Sequence, residues 1–177
     1  MSDPTWPNHI PLLGGAGLQL KTYSYYDPTT KSLDFATMMS QLEQSKPGDV
    51  LLLHGCCHNP SGADLTLEQW QTVTEFVTDR ELMPFVDVAY QGLGEGIDED
   101  AAGWRHLAAR VPEMLMASSC SKNFGLYRER TGALVAIARD EDSAQNLQSQ
   151  SLSAARQIYS MPPSYGGAVG WHHPRKL

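Results

Sequence analysis

Cysteine is scarce in this chain. There are three, Cys56, Cys57 and Cys120. The number is odd and two are adjacent, which argues against a disulfide framework and points most simply to the cytosol. Basic residues are also in deficit: 13 Lys and Arg stand against 20 Asp and Glu, a formal net charge of −7. That balance excludes nucleic acid as the main partner, because phosphate recognition needs a basic surface. No apolar run approaches the roughly 18 residues of a membrane helix, so no membrane partner is expected. The opening MSDPTWPNHIP has neither a basic start nor an apolar stretch, so no signal peptide is expected. Internal repeats and low-complexity segments are absent too. What remains is 177 residues, 41% of them hydrophobic, enough for the core of one domain.

The apolar residues are arranged in alternating short runs and helical stripes. GLQLKTYSYY (Gly17–Tyr26) alternates roughly and reads as a strand. LDFATMMSQLEQS follows, with Asp34 as candidate N-cap and Phe35, Met38, Met39 and Leu42 at helical spacing. VLLLHG (Val50–Gly55) is a continuous apolar run, as in a strand buried on both faces. TLEQWQTVTEFVTDREL opens with a capping box, Thr66 with Gln69, and sets Trp70, Val73, Phe76 and Val77 on one face. MPFVDVAY and MLMASSC are further buried strands, separated by a helix over Glu99–Arg110. GALVAIA (Gly132–Ala138) is another strand, and EDSAQNLQSQSLSAARQI a polar, exposed helix. Strands alternating with helices predict a three-layer α/β fold with a mostly parallel sheet. One connection, SKNFGLYRERT, is too short for a parallel crossover, so Gly132–Ala138 is expected to run antiparallel to its neighbours.

Ligands of open α/β sheets sit beyond the carboxyl ends of the strands. The polar residues fall there: HGCCHNPSG, DVAYQG and SSCSK each end a buried strand. Asp87 lies inside an apolar strand between Val86 and Val88, and a buried carboxylate needs a partner. It is either half of a structural salt bridge, for which Lys122 is a candidate, or the counter-ion of a protonated heterocycle. With a lysine amine to bond it, such a heterocycle is pyridoxal phosphate, paired to Asp at its ring nitrogen. Ser119, Ser121 and Arg130 suit a phosphate, through hydroxyl donors and a bidentate guanidinium; each serine alone reads as a strand-end cap. His54, Cys56, Cys57 and His58 invite a metal reading. It is not adopted, because neighbours on an extended segment point to opposite sides and no second ligand cluster completes a site. A cysteine at a buried strand end is more often inert than a nucleophile. NPSG is a turn aiming Asn59 at the ligand edge, and GLGEG (Gly92–Gly96) is a weak phosphate-loop signal.

HNPSG, DVAYQGL and SSCSKNFGLYRERTG together resemble the class I pyridoxal-phosphate aminotransferases. TWPNH, YYD and HGCCHNPSGADLTLEQW narrow the resemblance to the aspartate and aromatic aminotransferase group. It runs from about Pro4 to about Gly167 and departs mildly at Thr131, where an aliphatic residue is usual. It implies transfer of an amino group between an amino acid and a 2-oxo acid, with pyridoxal 5'-phosphate as cofactor. Lys122 is implied as the Schiff-base lysine and proton shuttle, Asp87 as partner of the pyridine nitrogen, and Tyr90 and Asn59 as partners of the phenolic oxygen. Trp6 is implied to stack on the ring, His9 to support Asp87, and Ser119, Ser121 and Arg130 to hold the phosphate. The resemblance further implies a homodimer about twice as long per chain, with a glycine-rich phosphate turn ahead of this segment. A small domain carrying the arginine for the substrate α-carboxylate would follow it. Residues 1–167 are thus expected to be a partial large domain of fold type I, holding five of its seven strands. Residues 168–177 form a divergent tail, whose Arg175 is not assigned the carboxylate role. An inactive gene remnant or a complementing fragment is the alternative.

Overall fold

Four strands carry the fold. The structure, a computed structural model, describes residues 1–172. In chain order its elements are β1 (Ser2–Asp3), α1 (His9–Gly15), β2 (Tyr23–Ser24), β3 (Tyr26–Asp27), β4 (Ser32–Leu33), α2 (Phe35–Leu42) and β5 (Val50–His54). There follow α3 (Leu67–Asp79), β6 (Met83–Val88), α4 (Glu99–Ala108), β7 (Met114–Ser119), β8 (Gly132–Ile137), α5 (Glu141–Tyr159) and α6 (Ser164–His172). The main sheet has the order β5-β6-β7-β8. The first three strands are parallel, and β8 pairs antiparallel to β7, as the short connection requires.

The expected fifth strand does not join that sheet. Of Gly17–Tyr26, only Tyr23–Ser24 pairs in parallel with Ser2–Asp3, while Tyr26–Asp27 forms a separate pair with Ser32–Leu33. The reason lies in the alternation itself. Tyr23 and Tyr25 are both buried at 4% exposure, but each spends its hydroxyl on a carbonyl elsewhere, Leu52 and Ala63 respectively. The segment packs through side chains rather than through a long backbone ladder. The tail boundary expected after Gly167 falls inside α6, and residues 173–177, Arg175 among them, lie outside the described residues.

Two helices are set by local chemistry. Asp34 accepts the Thr37 N–H at the start of α2. At α3 the Thr66 hydroxyl accepts the Gln69 N–H, and the Gln69 side chain accepts the Thr66 N–H, a complete capping box. One face of the sheet, through Leu51, Leu53, Val86, Val88, Met114 and Met116, forms a single core with Trp70, Val73 and Val77 of α3 and Leu107 of α4. The opposite face carries Asp87 and is crossed by the N-terminal segment with α1. The far edge is bare. Five of the six residues of β8 are exposed, and α5 has no buried residue; Leu134, Leu152 and Ile158 stand in solvent.

Helices α3 and α4 touch where Gly103 meets the Trp70 indole; a Cβ there would overlap Trp70 Cδ1 and Nε1. Gly103→Ala is therefore expected to cost about 1–3 kcal/mol by overpacking. Urea unfolding measures it, as a lower midpoint at unchanged slope.

Candidate active site

The parallel register brings three strand ends into one row. His54 pairs with Asp87, and Asp87 with Ala117. Since Val86 and Val88 enter the core, the side chain between them must emerge on the other face. There the Asp87 carboxylate is 20% exposed, and its Oδ2 lies 2.9 Å from His9 Nε2. His9 is buried on α1. Its Nδ1 meets Thr5 Oγ1 at 2.8 Å, and the same hydroxyl meets His54 Nε2 at 3.2 Å. Trp6 stands edge-on to His9, with ring centroids 5.3 Å apart. Two proton arrangements satisfy this row. With His9 neutral, Thr5 donates to Nδ1 and accepts from His54; with His9 cationic, both Thr5 bonds reverse. Burial, with His9 alongside, lowers the pKa of His54 to about 4, against an opposing pull from Asp87.

A second group gathers beside the first. Asn59 Nδ2 donates to the Tyr90 hydroxyl at 3.3 Å. Lys122 Nζ lies 4.7 Å from the Tyr90 ring centroid, a cation–π contact. The salt-bridge alternative for Asp87 thus takes a different form, for the partner is His9 and not Lys122. Ser119 Oγ accepts the backbone N–H of buried Ser121 at 3.1 Å. The β7–β8 register sets Gly132 opposite Ser119, which brings Arg130 to the same sheet end. The Arg130 guanidinium itself donates to the Tyr127 carbonyl at 2.7 Å and is exposed.

The turn carrying Asn59 is anchored from below. Asp64 accepts the backbone N–H groups of Cys57 and His58 at 2.6 and 2.8 Å. The His58 ring is bonded to Ser2 and Ser61 and stacks on Tyr25 with centroids 4.0 Å apart. Burial, with His54 nearby, lowers its pKa to about 3. Thr5, Ser2 and Tyr25 were not singled out from the sequence, and His54 and His58 only as metal ligands. The one available signal was Thr5 four residues before His9, one helical turn away. The GLGEG turn is not a phosphate loop. Its Gly92, Gly94 and Glu95 N–H groups all donate to Asp100. Burial works to raise the Asp100 pKa, but these bonds outweigh it and hold the carboxyl below its usual range. Cys57 departs from the extended geometry expected of it, with φ 48°.

Because folding depresses the pKa of His54 and His58 below the ordinary 6.5, their contribution to stability is full above that pH and is lost on acidification. Stability is expected to fall by up to about 1.4 kcal/mol per pH unit per histidine between pH 6.5 and about 4. Urea midpoints against pH measure the slope, and His58→Gln is expected to flatten it.

Residues 1–169 match the family Aminotransferase class I and II. The chain is 48% identical over 169 residues to the aromatic-amino-acid aminotransferase of Paracoccus denitrificans, covering 96% of this chain and 43% of that protein. It is 46% identical over the same length to the aspartate aminotransferase of Escherichia coli (strain K12), again with 43% of that protein covered. Among solved structures, the aromatic-amino-acid aminotransferase from Burkholderia pseudomallei, covalently bound to pyridoxal phosphate, superposes with a TM-score of 0.91 at 46% identity. The match covers 95% of this chain and 42% of that one. The chain thus spans less than half the length of these relatives. With its sequence and its fold both shared with these relatives, it belongs to the class I and II aminotransferases.

Proposed function

We propose that this chain is the cofactor-binding part of a pyridoxal-phosphate-dependent transaminase. The whole protein would move an amino group between aspartate or an aromatic amino acid and a 2-oxo acid. The observation that carries the proposal is Asp87, a carboxylate emerging from a buried strand, bonded by His9 at one oxygen only among the described residues. Its second oxygen is available to an N–H donor, and a pyridinium supplies one. The remaining donors suit the other ends of the same molecule: an amine at Lys122, an amide and a phenol at Asn59 and Tyr90, hydroxyls at Ser119 and Ser121, and a guanidinium at Arg130. A relative's structure described as covalently bound to pyridoxal phosphate supports the choice.

When bound, pyridoxal phosphate supplies an electron sink for charge developing at the substrate Cα. The roles proposed for this chain's residues are those the family resemblance implies. Asp87 holds the proton on the ring nitrogen, and His9, through Thr5 and His54, fixes the carboxylate that does so. Asn59 and Tyr90 would hold the phenolic oxygen, and Trp6 would stack on the ring. Lys122 would hold the cofactor through its amine and would carry the proton at the substrate Cα. Ser119, Ser121 and Arg130 take the phosphate, for which the Arg130 guanidinium must leave the Tyr127 carbonyl. The whole protein is proposed to be a cytosolic homodimer; among the described residues, no helix is long and apolar enough to cross a membrane.

For the chain by itself, binding without turnover is proposed, as in a complementing fragment or a gene remnant. The exposed apolar residues of β8 and α5 favour this reading. Catalysis needs the α-carboxylate gripped, and misplacement by about 1 Å already costs on the order of 10²-fold.

Borohydride reduction in the presence of pyridoxal phosphate, followed by peptide mapping, tests the cofactor assignment. The label is expected on Lys122; a label on Lys21 or Lys46 instead would overturn it. A coupled assay with aspartate or phenylalanine plus 2-oxoglutarate tests the second reading. Turnover near the typical 10 s⁻¹ or so, lost in Lys122→Ala, would contradict it.

A further inference from the structure

On the reverse of the turn that carries Asn59, three ligand-bearing side chains converge. The Cys56 and Cys57 sulfurs and an Asp100 carboxylate oxygen lie within 4.8 Å of one another, the one such group among the described residues. Adjacent side chains on extended backbone would diverge. Here Cys57 takes the left-handed conformation, φ 48°, and its sulfur lies on the same side as that of Cys56. We propose that Cys56, Cys57 and Asp100 form a binding site for a soft, thiophilic divalent cation such as zinc or cadmium.

The dimensions suit such an ion. Tetrahedral coordination, with metal–sulfur bonds of about 2.3 Å and metal–oxygen bonds of about 2.1 Å, sets two sulfurs about 3.8 Å apart and sulfur and oxygen about 3.6 Å apart. From separations of at most 4.8 Å, the cluster needs to close by no more than about 1.2 Å to meet it. Asp100 is held in place for the purpose. Its Oδ2 accepts from Gly92 and Gly94 and its Oδ1 from Glu95, which fixes the carboxylate beside the two sulfurs. Cys56 is buried, and Cys57 is partly exposed and gives the ion a way in. A water completes the fourth position.

Metal binding replaces the thiol protons: two S–H bonds break, two metal–sulfur bonds form, two protons leave to solvent, and no electron is transferred. Affinity must therefore rise with pH. The site does not depend on the transaminase reading, since none of its ligands has a part in it.

The test is titration of cadmium chloride into the chain carrying Cys120→Ser, read by sulfur-to-cadmium charge-transfer absorbance and by proton release. One equivalent is expected to saturate the band and free two protons, and Cys57→Ser is expected to weaken binding at least about tenfold. Undiminished binding in a folded Cys57→Ser chain, or loss of the band with Cys120→Ser alone, would overturn the site. In the unaltered chain cadmium is expected to slow alkylation of Cys57 and leave Cys120 unaffected, which needs no variant to fold. Equal alkylation of Cys57 with and without cadmium would overturn it as well.

Discussion

A carboxylate in the middle of a sheet strand constrains everything around it. Asp87 cannot sit between two fully buried valines without a partner, because an uncompensated charge there would cost several kcal/mol. The partner comes from far away in sequence. His9 reaches it from α1, and that contact draws the N-terminal segment across the sheet face that α3 and α4 do not cover. Once His9 is fixed, Trp6 is placed at its edge and Thr5 is brought within reach of His54. One carboxylate's need for a hydrogen-bonding partner thus sets the register between the first residues of the chain and the strand ends of the sheet.

The histidines show how the site resists water and acid. His54 and His58 are neighbours, with centroids 4.2 Å apart, and burial keeps both well below their ordinary pKa. Two adjacent imidazoliums would repel each other and lose hydration, so the neutral forms prevail. Neutral rings can both donate and accept, which lets His54 bond Thr5 and His58 bond two serines at once. The Asn59 turn and the Thr5–His54 end of the Asp87 row therefore rest on neutral imidazoles. The same nine-residue stretch, 54–62, also carries the thiol pair of Cys56 and Cys57 beside Asp100.

What was legible in the sequence is what is local. The Asp34 cap and the Thr66–Gln69 box read directly, because each pairs residues within one helical turn. The antiparallel direction of β8 read from the length of its connection. Asp87 and Lys122 read from residue type against an apolar background. The His9–Thr5–His54 row did not, since Thr5 and His54 are 49 residues apart and only tertiary folding brings them together. His9 entered as the supporter of Asp87 through family resemblance, not through spacing. Helix α1 was hidden by its own composition, for HIPLLGG carries a proline and two glycines, and packing overrides their poor propensity. The two thiols were read as opposed because a left-handed backbone at a cysteine is not announced by the cysteine itself. Tyr23 and Tyr25 misled for the reverse reason: alternation predicted a ladder, and their hydroxyls found carbonyls on other segments instead.

The central claim is that Asp87, oriented by His9, holds a proton on the ring nitrogen of the cofactor. The most direct measurement is nitrogen-15 NMR of pyridoxal phosphate labelled at that nitrogen and bound to the chain, at a pH where the free ring is unprotonated. The account predicts the shift of a protonated pyridinium in the unaltered chain and of a neutral pyridine in Asp87→Ala. A protonated shift that persists in Asp87→Ala, or a neutral one in the unaltered chain, would contradict it.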